Sequence, residues 1–107
     1  MPQPSGHLLN RILPYIQNAR GPLDPAAFWE SIPRKAGERI QAGPTSIHMP
    51  FDGYHVFVDL HPGANWSHPA LSILVPEEEE QEIQVVQISF PPFPGDPEPP
   101  YIKLELP

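Results

Sequence analysis

The chain predicts an α+β domain, with two or three short N-terminal helices packed on one face of a mainly antiparallel sheet of four to five strands. Three observations predict it. Apolar residues recur at helical spacing near the N-terminus, they alternate with polar ones beyond Pro44, and 18 prolines among 107 residues keep every element short. Helical periodicity first and strand periodicity afterwards place the helices on one side of the sheet. The length fits a single domain, with a helical part over about 5–43 and a β part over about 45–106.

The first helix is expected between His7 and Arg20. Leu8, Leu9, Ile12, Leu13 and Ile16 form its apolar face, Ser5 is a good N-cap, and Gly21-Pro22 stops it. Pro14 falls inside the pattern and is expected to kink or split it. Asp24-Pro25 then reads as an N-cap followed by a first-turn proline, opening a short helix from Pro25 to Ile32. Arg34 to Gln41 reads as another turn or two, closed by Gly43-Pro44.

Thr45 to Met49 has the look of a short edge strand. After the Asp52-Gly53 turn comes the clearest strand, Tyr54 to Leu60, with Tyr54, Val56, Val58 and Leu60 on one face. His55, Phe57, Asp59 and His61 take the other. Ala70 to Val75 and Glu82 to Phe90 are the next two strands. In the second of these the apolar phase shifts between Val85 and Val86, as a β-bulge or a strand apolar on both faces would require. Pro91 to Pro100 reads as an extended connection. Tyr101 to Leu106 closes the chain, with Ile102, Leu104 and Leu106 inward and Tyr101, Lys103 and Glu105 outward.

The net charge of −7 is divided unevenly. Up to Gly43 there are five basic and three acidic residues, net +2; from Pro44 onward one lysine stands against ten acids, net −9. A basic footprint for nucleic acid is missing from the larger part, and an anionic membrane is disfavoured for the same reason. No apolar run approaches bilayer length, and the N-terminus lacks the pattern of a signal peptide. With no cysteine either, a cytoplasmic protein is expected.

Two groups of residues could carry function. His55, Asp59, His61 and His68 combine imidazoles with a carboxylate, a donor set used for zinc or non-haem iron, and Asp59 could orient His61 or His55 as a general base toward Ser67 or Ser72. The spacing is permissive rather than diagnostic, and no nucleophile elbow or oxyanion loop accompanies it. The second group is a recognition set. His61, Asn65 and Trp66 lie in a proline-stiffened loop, and Glu77, Glu78, Glu79 and Glu80 form a run that would steer a basic partner. The leading expectation is a non-enzymatic protein–protein interaction module, of adaptor, immunity or accessory type. It has no catalytic residues and no cofactor, and it binds a protein of basic character through an acidic, aromatic-bearing β surface. The alternative is a zinc- or iron-binding protein or enzyme built on the histidine and aspartate cluster.

Overall fold

A computed structural model describes residues 3–19, 21, 24–62, 68–93 and 100–106. The elements, in chain order, are α1 (Gly6–Asn18), β1 (Ala26–Glu30), β2 (Arg39–Ala42), β3 (Thr45–His48), β4 (Gly53–Asp59), β5 (Ala70–Pro76), β6 (Gln84–Ile88) and β7 (Tyr101–Lys103). Five strands form an antiparallel sheet in the order β6-β5-β4-β1-β7, and β2 and β3 form a separate hairpin. Among the described residues the protein is therefore mainly β, with one helix. No helix there is long and apolar enough to cross a membrane.

The helix follows its sequence pattern. Ser5 Oγ accepts the Leu8 N–H at 3.1 Å, and Ile12 and Ile16 are buried against the sheet. Each of those isoleucines contributes roughly 1.5–3 kcal/mol by leaving water. Pro14 points to solvent, and α1 continues through it as one element instead of splitting. The helix covers the sheet face formed by Ala27, Trp29, Val56, Val58, Leu71, Ile73, Val75 and Ile102. The hairpin covers the opposite face. There Ile40, Ala42, Ile47 and Met49 meet Phe57, Ala70, Leu74 and Ile88, and Phe51, Phe93 and Tyr101 complete the layer. The sheet is thus the middle of three layers. That is why β5 is buried at every position from Ala70 to Pro76.

This double coverage explains where the expected fold fails. Pro25 to Ile32 is not a helix: it contains β1, a central strand hydrogen-bonded to β4 on one side and β7 on the other. A strand buried on both faces loses its polar alternation, so Phe28 and Trp29 read equally well as part of a helix. Arg34 to Gln41 is not helical either. It holds a bridge between Arg34 and Gly53, a turn, and the start of β2. Two or three helices on one face are therefore corrected to a single helix and seven strands among the described residues. Tyr101, expected outward, is 8% exposed, because the hairpin layer closes over its face. The register of β5 with β6 runs unbroken from Ala70↔Ile88 to Leu74↔Gln84, so the phase shift at Val85 and Val86 marks a strand with apolar residues on both faces and no bulge.

Gly43-Pro44 closes the β2–β3 hairpin instead of ending a helix. Gly43 has φ 59°, the left-handed conformation that two-residue hairpin turns require at their first central position. A Cβ on Gly43 would also lie 2.5 Å from Phe90 Cγ. Gly43→Ala is expected to destabilise the protein by about 2–4 kcal/mol, from backbone strain plus the displaced ring. Urea denaturation checks this, and a loss below about 0.5 kcal/mol would show that the hairpin does not pack on Phe90.

Candidate functional site

The most ordered polar arrangement is buried under the hairpin layer. β1 contributes Glu30, β4 His55, β5 Ser72 and β7 Tyr101, and Arg34 follows β1. His55 and Ser72 are fully buried and Glu30 is 5% exposed. Arg34 forms a two-pronged ion pair with Glu30, Nε to Oε1 at 2.5 Å and Nη2 to Oε2 at 2.9 Å. Its Nη1 also donates to Arg39 O at 3.2 Å. Nδ1 of His55 lies 2.7 Å from the Tyr101 hydroxyl and Nε2 lies 2.8 Å from Ser72 Oγ. A neutral imidazole donates from one ring nitrogen and accepts at the other. One of the two hydroxyls therefore donates to neutral His55 and the other accepts from it.

Electrostatics agree with a neutral imidazole. Burial, reinforced by the nearby Arg34 charge, lowers the His55 pKa to about 3. Burial, with the Glu30 carboxylate adding to it, raises Tyr101 to about 12. A serine beside an imidazole resembles a nucleophile with its base. Here, however, both groups are closed off from solvent, and no substrate atom reaches Ser72 in this conformation.

The four residues expected to gather around a metal are divided. His55 belongs to the buried network. Asp59, His61 and His68 meet at the far end of β4, where Asp59 Oδ1 is 2.7 Å from His68 Nε2 and accepts the His61 backbone N–H at 2.9 Å. The His61 and His68 rings stand edge to face, with centroids 6.4 Å apart. Asp59 thus orients His68, the imidazole that the strand register did not point to. Among the described residues no group of three or more His, Asp or Glu side chains could hold a metal ion. Ser67 lies outside the described residues.

The recognition set is also divided. Asn65 and Trp66 lie outside the described residues. His61 sits at the Asp59 end of the sheet and Glu77 to Glu80 at the Gly53 end, because β5 runs antiparallel to β4 and links the two ends. Seven residues at about 3.3 Å each separate them by roughly 20 Å. The glutamates are all exposed, as is Glu82. They occupy the β5–β6 connection, where Gln81 donates its N–H to Glu78 O and Glu77 donates to Asp52 O. The basic side of α1 lies alongside: His7 pairs with Glu79, and Arg11 Nη1 donates to Pro76 O at 2.9 Å. Arg11, Tyr15, Glu79, Gln81, Glu82 and Ile83 line an open groove of about 480 Å³. Arg34 and Lys35 contact Glu30 and Asp52. Phe93 from the proline-rich connection is buried against Phe28, Phe57 and Tyr101, which gives that segment a core role.

Sequence reasoning named His55 and Ser72 as a possible base and nucleophile, but it missed Glu30, Arg34 and Tyr101 beside them. No family model, no curated protein and no solved structure matches the chain.

Proposed function

We propose that the protein is a non-enzymatic interaction module whose acidic β5–β6 connection recognises a basic protein partner. One observation carries the proposal. Glu77, Glu78, Glu79, Glu80 and Glu82 are exposed together, and among the described residues only Glu79 has an ion-pair partner, His7. Five carboxylates within six residues create a local negative field that attracts cations over about one Debye length, roughly 8–10 Å at physiological salt. Such a field accelerates encounter with a basic surface and suppresses acidic competitors. The buried Ser72–His55 pair gives no rival catalytic reading, since it stands behind the hairpin layer. His61 lies too far from the glutamates to share one small contact patch with them, so the recognition surface is centred on the connection alone.

An oligolysine peptide is a direct probe. Chemical-shift changes on titration are expected to centre on residues 77–82, with an affinity that falls as salt rises. Replacing Glu77, Glu78, Glu79 and Glu80 together by glutamine should weaken binding roughly tenfold at low salt. Unchanged affinity in that variant, or shifts concentrated elsewhere, would remove the proposal.

A further inference from the structure

The two edges of the five-stranded sheet are treated differently. β7 is only three residues long and carries Lys103. Its edge is closed by a side chain: Gln3 Nε2 donates to Lys103 O, and Gln3 Oε1 accepts the Glu105 N–H, both at 2.9 Å. The amide of Gln3 thereby stands in for a neighbouring strand. β6, at the other edge, has no such cover. Its five residues, Gln84-Val85-Val86-Gln87-Ile88, include no charge, proline or glycine, and its pairing with β5 shows no bulge. These are the devices by which edge strands ordinarily avoid pairing with other chains. Among the described residues nothing bonds to the outer backbone groups of β6. Val85 is 42% exposed, although it lies on the face that α1 covers elsewhere.

We infer that β6 is a docking edge for an extended peptide segment of a basic partner, which adds to the sheet as a sixth strand. The inference rests on the proposed acidic recognition surface and specifies how that surface is used. Backbone pairing along β6 supplies affinity, and alternate side chains of the peptide cover Val85 on one face and Val86 on the other. Charge selects the occupant. Glu82 lies two residues before β6, with Glu77 to Glu80 just beyond it. A segment running antiparallel to β6 passes Gln84 and then reaches these carboxylates with its C-terminal side. Its lysines or arginines therefore follow an apolar, alternating stretch. A second copy of this chain is a poorer occupant, since each brings a net charge of −7.

The test uses the intact protein and three synthetic peptides. The first alternates valine and threonine and ends in four lysines; the second is the same peptide N-methylated at alternate residues; the third ends in four glutamates. The first peptide is expected to bind and to protect amides of residues 84–88 from hydrogen exchange. The second and third should each bind at least tenfold more weakly. Equal binding by the N-methylated peptide, without new protection, overturns docking at the edge while leaving electrostatic recognition at 77–82 intact. Conversely, protection at 84–88 that is equal for the lysine and glutamate peptides overturns the basic occupant, and with it the proposed function. Failure of the first peptide to bind at millimolar concentration also overturns the inference. So does a dimer in sedimentation equilibrium whose own contact protects residues 84–88.

Discussion

Alanine in place of His55 is expected to destabilise the fold by about 3–5 kcal/mol. The imidazole is fully buried, so its removal opens a cavity, and it also strips the Tyr101 and Ser72 hydroxyls of a partner in a region closed to water. The same group should dominate the response to acid. Its folded pKa, about 3, lies below the usual 6.5, so the unfolded chain binds a proton more readily than the folded one. Stability from this site is complete above pH 6.5 and is lost as pH falls from there toward 3. Each pH unit in that interval costs about 1.4 kcal/mol, or roughly 2 kcal/mol by pH 5. Tyr101 acts at the opposite limit. Its raised pKa keeps its contribution intact below pH 10 and removes it as pH rises toward about 12. Urea denaturation at pH 7 and pH 5 tests the acid limb, with His55→Gln as the variant that cannot titrate. Parent and variant losing equal stability between the two pH values would show that His55 is not the responsible group.

The second large effect is expected at Arg34. Its guanidinium is the only cation paired with Glu30 among the described residues, and Glu30 is 5% exposed. Arg34→Met should cost about 3–5 kcal/mol at neutral pH, because a buried carboxylate is left without its counter-charge. Replacing both partners together, as Glu30→Gln with Arg34→Met, should recover part of that loss, since the stranded charge is then absent. A double-mutant cycle measures the recovery. Strict additivity of the two single losses would show that the pair is not coupled. Tyr101 pairs across the sheet with Glu30 and its hydroxyl bonds to His55, which links β7 to β1 and β4. Such a network gives the sheet a register that an all-apolar layer would specify less sharply.

How much of the protein its sequence revealed varies with how many faces of each element are buried. α1 was legible because one face packs and the other meets water, giving the 3.6-residue period its contrast. β3, β4, β5, β6 and β7 were legible as strands from alternation and turn signals. β1 was not, because burial on both sides erased the polar alternation and left Phe28 and Trp29 at a spacing that fits either period. The candidate site divides along the same line. The glutamate run is charged, local and exposed, so its place at a bend could be read from the residues alone. The histidines share a strand face in sequence, yet only the register of β4 with β5 brings Asp59 to His68, and only the hairpin layer closes His55 away.

The sequence by itself determined the acidic net charge, the N-terminal helix, five of the described strands and the exposed position of Glu77 to Glu80. These depend on periodicity and charge, which act within a few residues. Tertiary structure alone decided that the sheet lies between two layers, that Glu30, Arg34, His55, Ser72 and Tyr101 form one network, and that β6 is left open while Gln3 closes β7. Each of these joins residues distant in the chain, and strand order and layer packing carry no short-range signature.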